Sequence, residues 1–197
     1  MEQQQKQLIL ASQSPRRKEL LAQLGYQFSC HPADINEDVI DGELARNYVE
    51  RMAREKASAV AKLYPDSCLI LGSDTSVIID DVILGKPKDK SDAINMLSRL
   101  SDNTHQVITS IAVAHQQQIS SEIIVTDVVF KVLTQREMER YWQTKEPQDK
   151  AGSYGIQGLG GQFVKQIQGS YSSVVGLPLY ETARLLGEFG LKTPVQA

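Results

Sequence analysis

One stretch constrains the fold of this chain more than any other: Leu8-Ile9-Leu10-Ala11-Ser12-Gln13-Ser14-Pro15-Arg16-Arg17-Lys18-Glu19-Leu20-Leu21. Leu8 to Ala11 is a short apolar run and reads as a buried strand. Ser14 followed by Pro15 reads as a helix start, because the serine hydroxyl caps a free amide and proline suits the first helical position. Arg16, Arg17 and Lys18 then fill the first turn, where the helix dipole and unpaired amides favour negative charge instead. Arg17 precedes Leu20 and Leu21 by three and four residues, which puts it at the edge of the inward stripe. Such an arrangement suits an anion at the helix end, held by Ser12 and Ser14 hydroxyls, free N–H groups and guanidinium forks. Taken alone, a solvated basic turn would look the same.

Further along, strand-like and helix-like stretches alternate, which predicts a mixed α/β fold. The first helix ends near Gly25, a C-cap glycine, and Gln27 to His31 is a short strand. Pro32 to Gly42 is acidic and irregular. Glu43 to Tyr64 is the longest helical pattern, stopped by Pro65, with an inward stripe of Val49, Met52, Ala53, Lys56, Val60 and Leu63. Cys68 to Asp80 reads as an apolar strand, a small polar break at Gly72-Ser73-Asp74-Thr75, and a second apolar strand. Asp80-Asp81 turns the chain into Val82–Leu84 as a hairpin. The loop Gly85-Lys86-Pro87-Lys88 leads to a helix from about Ser91 to Leu100. Gln106–Ala114 and Ile119–Leu133 are an expected antiparallel pair, followed by a helix over Gln135–Thr144.

Between Gly152 and Gly161 lie five of the chain's 13 glycines, a density that marks tight backbone or close approach to a ligand. A last strand pair is expected at Gln162–Gln168 and Ser172–Val175. A helix opened by Pro178 follows, with Leu179, Ala183, Leu186 and Phe189 inward. With no internal repeat and no linker, residues 1–197 are expected to form a single domain.

Composition narrows the function classes. A net charge of -3 supplies no global field for nucleic acid or acidic membrane, so any anion site must be a local cluster. Cys30 and Cys68 have no metal or redox spacing, which suits a reducing compartment. The polar start Met1 to Gln7 has no secretory apolar core, and no apolar run approaches a membrane span. The expectation is a cytoplasmic protein that binds neither nucleic acid nor membrane.

Several side chains could carry chemistry. Asp74 interrupts two apolar runs, and a buried carboxylate must be paired, metal-bound or poised for proton transfer; a turn-forming aspartate after Gly72 would need no such account. Lys56 sits in mid-stripe, either snorkelling at the edge or reaching into a cleft. Lys86 and Lys88 are loop lysines, solvated or on phosphate. Glu37 is solvent-facing or a metal ligand. Asp127 faces a cavity or a sheet edge. His31, His105 and His115 show no zinc spacing and read as structural or surface residues. The chain lacks a P-loop, a dinucleotide-binding glycine fingerprint and a serine-nucleophile elbow. Ser, Arg and Lys anion contacts with a few carboxylates remain, a set that suits metal-assisted hydrolysis of a phosphate compound.

These motifs, in order, resemble the Maf family of nucleoside triphosphate pyrophosphatases. Ser12-Gln13-Ser14-Pro15-Arg16-Arg17, Ile35-Asn36-Glu37, Arg54-Glu55-Lys56-Ala57, Gly72-Ser73-Asp74-Thr75 and Lys86-Pro87 carry the resemblance. So do Asp149-Lys150-Ala151-Gly152-Ser153-Tyr154-Gly155-Ile156-Gln157-Gly158 and Ser170-Tyr171 to Gly176-Leu177-Pro178. The resemblance implies a mixed sheet in two lobes around a central cleft, of the Maf and inosine triphosphate pyrophosphatase kind. It also implies a homodimer and a divalent cation, Mg²⁺, Mn²⁺ or Co²⁺. The implied reaction cleaves nucleoside triphosphates between the α and β phosphates, giving monophosphate and pyrophosphate.

By that resemblance Asp74 is the catalytic carboxylate and a metal ligand, and Glu37 helps hold the metal or the attacking water. Ser12, Ser14, Arg17, Lys56 and Lys86 hold the triphosphate. Arg16, Thr75 and Gln157 match the branch acting on dTTP and UTP, with 5-methyl-UTP and pseudo-UTP as further substrates. The sister branch, acting on 7-methyl-GTP, has an acidic residue in place of the glutamine. A Gln amide both accepts and donates, so it can pair with N3–H and O4 of uracil or thymine, whereas a carboxylate only accepts. Ser73 stands where many relatives have alanine. The alternative, from another class, is a regulatory binding protein in cell division whose effect does not need hydrolysis.

Overall fold

A computed structural model describes residues 6–196; most of the polar start discussed above, residues 1–5, lies outside them. The chain divides into two compact units. The first comprises Met1–Asp74, Thr109–Ile123 and Gly176–Ala197, the second Thr75–Ile108 and Ile124–Val175. The α/β class is as expected, with a seven-stranded mixed sheet in the spatial order Phe28–Cys30, Leu8–Leu10, Leu69–Ile79, Thr104–His115, Gln118–Phe130, Val164–Gln168, and with Val82–Leu84 beside Leu69–Ile79.

In the first unit, strand β1 (Leu8–Leu10) runs into helix α1 (Pro15–Gln23), which returns to strand β2 (Phe28–Cys30). Helix α2 (Ala45–Ala61) follows, then strand β3 (Leu69–Ile79). β1 pairs in parallel with β2 on one side and β3 on the other, Leu10 opposite both Cys30 and Leu71. The chain leaves β1 toward β2 and returns past β1 to β3, and ligands of open α/β sheets gather at the carboxyl ends of parallel strands arranged in this way. Ser12 and the start of α1 lie at that end of β1. The amide of Ala11 donates to Leu71 O at 2.8 Å, so the register sets Gly72 to Asp74 beside them.

Burial follows the expected stripe for most of α2: Val49, Met52, Ala53, Ala57 and Val60 are buried, and so is Lys56. Leu63, expected in that stripe, is instead 63% exposed. The helix stops at Ala61, so Leu63 falls beyond the turn that would point it inward. Ile9, Ala53, Ala57, Val60, Ile70 and Ala112 form part of one core. The small residues Ala53 and Ala57 let α2 lie close to β3: a Cβ on Gly72 would meet Ala53 O at 2.2 Å. Helix α6 (Leu179–Glu188) closes the unit, burying Thr182, Leu185 and Leu186. Leu179, Ala183 and Phe189, expected inward, are only half-buried.

β3 corrects one expectation. Gly72-Ser73-Asp74-Thr75 does not break the strand; residues 69–79 are continuous. Its polar side chains find partners in place, so no turn is needed to return them to water.

The second unit takes the remainder of β3, strand β4 (Val82–Leu84) and helix α3 (Lys90–Leu100). Asp80 and Asp81, both at positive φ, make the expected hairpin turn. Strands β5 (Thr104–His115) and β6 (Gln118–Phe130) contribute residues to both units. Helix α4 (Gln135–Gln143) opens on a capping box of Thr134 and Glu137, in which each side chain satisfies an amide of the other. The glycine-rich segment is a series of short 3-10 turns. Strand β7 (Val164–Gln168) pairs with β6, Asp127 opposite Gln168, so Asp127 is interior to the sheet and not at its edge. Its carboxylate accepts from Gln106 at 3.2 Å.

Residues expected as a last strand, 172–175, belong to a short helix, α5 (Tyr171–Val175). The Ser170 hydroxyl accepts from the Ser173 amide at 3.2 Å, a local cap that outweighs the strand preference of Val174 and Val175. The second core centres on Val77, Leu97, Phe130, Met138, Tyr154 and Phe163.

The histidines are structural. His31 meets the Tyr64 hydroxyl at 3.1 Å, His105 that of Tyr154 at 2.9 Å, and His115 the carbonyl of Cys68 at 3.1 Å. Burial holds His105 neutral by pulling its pKa down to about 4. No helix among the described residues is long and apolar enough to cross a membrane.

Candidate active site

Six of the residues singled out in sequence, Ser12, Ser14, Arg17, Glu37, Lys56 and Asp74, come together where the carboxyl end of β1 lies beside the middle of β3. The start of α1 is built as predicted: Ser14 is the N-cap, its hydroxyl accepting from the Arg17 amide at 3.5 Å, with Pro15 in the first position. The Ser12 hydroxyl accepts from the Ser14 amide at 3.2 Å and from Arg17 Nη1 at 3.4 Å. Arg17 Nε donates to the Gly176 carbonyl at 3.0 Å. That fixes a guanidinium at a helix end containing no acidic residue in its first turn. Burial lowers the Arg17 pKa from its ordinary value and the charge of Asp74 works against this, so the guanidinium feels the carboxylate. Arg16 is half-buried beside it in the same turn.

Lys56 and Asp74 are the centre of the arrangement. Both are buried, at 8% and 7% exposure, with Lys56 Nζ 2.7 Å from Asp74 Oδ1. The same ammonium lies 2.9 Å from Glu37 Oε1. Of the two alternatives open for Lys56, the side chain reaches inward rather than snorkelling out, and Asp74 belongs to a strand rather than a turn. Either charge alone in this setting would cost several kcal/mol; pairing at hydrogen-bond distance makes both tenable.

Glu37 is exposed on its irregular loop, and α2 holds that loop in place. Tyr48 Oη donates to the Glu37 carbonyl at 2.9 Å. Arg51 grips Glu43 through two hydrogen bonds of 2.7 and 2.6 Å and donates to the Asp38 carbonyl at 3.0 Å. The bond from Arg51 pulls the Glu43 pKa down. Burial first, then the charges of Asp74 and Glu37, push the Tyr48 hydroxyl up to about 12, so it stays protonated and donating. Neither Tyr48 nor Arg51 stood out in sequence; Tyr48, eight residues before Lys56 and so on its side of the helix, is the one that spacing could have flagged. Ser73 was also passed over. Its hydroxyl donates to the same Gly176 carbonyl that Arg17 uses, at 3.1 Å, giving a serine a task that alanine could not perform.

The remaining candidates belong to the second unit. Thr75 is half-buried on β3, directly after Asp74. Lys86 is exposed on the loop after β4, anchored by the buried Pro87. The Gly85 carbonyl accepts from the Gly152 amide at 3.0 Å, so this loop lies against the glycine-rich segment. Gln157 is exposed at the turn of that segment.

Chemically, the first unit presents fixed cations and hydroxyls to an anion, and two carboxylates that converge on one point. No group of three or more His, Cys, Asp or Glu that could hold a metal ion is gathered among the described residues. The two converging carboxylates are nonetheless hard oxygen donors of the kind Mg²⁺ takes, one or two at a time, alongside ligand oxygens and water.

Known proteins agree with this picture. A protein from Colwellia psychrerythraea described as dTTP/UTP pyrophosphatase is 57% identical over 187 residues, covering 93% of this chain and 88% of its own. One of the same description from Vibrio vulnificus is 55% identical over 182 residues, covering 92% and 98%. A solved dITP/XTP pyrophosphatase from Mycobacterium abscessus overlaps more loosely, at TM-score 0.41 and 13% identity over 63% of this chain and 74% of its own. The family model described as Maf-like protein matches residues 7–189, a span that takes in every candidate residue above. The chain therefore belongs to the Maf-like protein family.

Proposed function

We propose that this chain is a nucleoside triphosphate pyrophosphatase that hydrolyses dTTP and UTP to the monophosphate and pyrophosphate. The observation that carries the reading is the buried ammonium of Lys56 between Asp74 and Glu37, beside a helix start with two arginines and two serine hydroxyls. The relatives' shared description supports the substrate class. Within this proposal the chain is one substrate-binding domain, Lys86 adding a phosphate contact and Arg16, Thr75 and Gln157 setting base preference.

Attack of water at the α phosphorus forms one P–O bond and breaks the bond to the bridging oxygen of the β phosphate, so pyrophosphate leaves. Ser12, Ser14, Arg17, Lys56 and Lys86 bind the phosphate chain and take up the charge that develops on the departing oxygen. Asp74 accepts the proton of the attacking water. In the substrate-free protein Lys56 neutralises Asp74 and Glu37; an arriving polyanion offers the ammonium a further partner, and its transfer frees the Asp74 carboxylate to act. Glu37 and Asp74 would also hold a divalent cation, whose charge, once bound, lessens the repulsion between water and the triphosphate. Assembly as a homodimer is part of the proposal and plays no role in these steps.

The test is product analysis across UTP, dTTP, CTP, GTP, ATP and 7-methyl-GTP with Mg²⁺, Mn²⁺ or Co²⁺. UMP or dTMP with pyrophosphate is expected, UTP and dTTP leading the series and chelation abolishing turnover. UDP with orthophosphate would contradict it.

A further inference from the structure

The glycine-rich turn that bears Gln157 is organised around one acid. Glu146 follows α4 after Lys145, which takes a left-handed conformation at φ 65°, and its amide donates to the Thr144 hydroxyl at 3.2 Å. Its half-buried carboxylate accepts from the Leu159 amide at 2.9 Å on one oxygen. The other oxygen accepts from the Gly160 amide at 3.0 Å and the Tyr141 hydroxyl at 2.7 Å. The buried Tyr141 oxygen in turn accepts from the Gly155 amide at 3.0 Å. Both ends of the Gly155–Gly160 turn are thus tied to one pair of side chains, with Gln157 exposed between them.

The glycines are what let the turn close on this acid. A Cβ at Gly158 would lie 2.4 Å from Glu146 Oε2, and one at Gly160 would lie 2.6 Å from the Tyr141 oxygen. Burial alone would raise the Glu146 pKa, but the hydrogen bonds from Gly160, Leu159 and Tyr141 outweigh it and hold the carboxyl below its ordinary value. An ionised group that only accepts is what two converging amides require. Glutamine has the same shape but would turn an NH₂ donor toward one of them.

We propose that Glu146, oriented by Tyr141, is a positioning residue that fixes the shape of the Gly155–Gly160 turn and so sets the preference for a pyrimidine base through Gln157. This rests on the proposed role of Gln157 in reading the base. Glu146 touches no substrate atom; it acts by denying the turn other conformations, each of which would make an ordering cost part of base binding.

The experiment compares Glu146→Gln, Gln157→Ala and the double variant in kcat and KM for UTP and 7-methyl-GTP, with amide hydrogen exchange at Leu159 and Gly160. Glu146→Gln is expected to lower the UTP preference in kcat/KM about ten-fold, the worth of one charge-assisted hydrogen bond. The loss should fall mainly on KM for UTP, exchange should quicken at both amides, and the double variant should lose no more than Gln157→Ala alone. An unchanged preference in Glu146→Gln, with Gln157→Ala lowering it, overturns the clasp and leaves the base-reading role standing. An unchanged preference in both overturns that role and the clasp with it. Additive losses, or an equal fall in kcat for both nucleotides with unaltered exchange, also overturn the proposal. Should Glu146→Gln fail to fold, Tyr141→Phe takes its place, removing one hydroxyl from the same clasp with the same outcomes expected.

Discussion

Lys56 shows how much one buried charge depends on its neighbours. Removing the ammonium takes from Asp74 its hydrogen-bonded countercharge in a site that is 7% exposed, so Lys56→Met is expected to cost about 3 kcal/mol in urea unfolding, in the range for breaking a buried pair. A loss under about 1 kcal/mol would mean that Asp74 is effectively solvated. Changing Asp74 to Asn is milder, because Lys56 keeps Glu37 and the amide oxygen still accepts. Lys56 was legible in the sequence as an anomaly, a cation within an apolar stripe. Its partner could be read only through the family resemblance, since eighteen residues and a strand register separate it from Asp74. Ser73 shows the opposite limit: a small polar residue in a strand looks neutral until the carbonyl it serves, Gly176, is brought beside it from a distant part of the chain.

At the scale of elements, the contact between α2 and β3 decides whether those side chains can meet. Gly72 lies against the helix backbone, with Ala53 O 2.2 Å and Ala57 N 2.8 Å from where a Cβ would stand. Backbone cannot swing aside as a flexible side chain does. Gly72→Ala is therefore expected to destabilise the protein by about 3 kcal/mol, the upper range for overpacking, and to lower turnover further by moving Lys56 from Asp74. Thermal unfolding with kinetics on the folded fraction checks it; a variant of unchanged stability would show that the helix stands farther off. Amphipathic periodicity and punctuation by Ser-Pro, Asp-Asp, Gly and Pro made most elements readable in advance. The failures lie where a local polar contact overrode propensity. The run at 72–75 stayed in its strand because its polar groups were satisfied there, and 171–175 became helical under a serine cap.

For the whole molecule, each unit has its own apolar core, the first around Ile9, Ala53 and Ile70, the second around Phe130, Tyr154 and Phe163. Where the chain passes from one unit to the other was not legible in the sequence, because β3, β5 and β6 each give residues to both units and no composition shift marks the crossings. The candidate site was more legible than the fold, since its residues fall in motifs that resemble one family in order. Their geometry still had to come from the parallel register of β1 with β3. Central to the proposed mechanism is Asp74 as the group that activates water. The measurement that tests this most directly is UTP turnover by Asp74→Asn, with its fold verified by circular dichroism and thermal unfolding. Pyrophosphate release is expected to fall at least about 100-fold, within the range for losing a general base, in a protein that folds and still binds UTP. Turnover within a few-fold of the unaltered enzyme would contradict it.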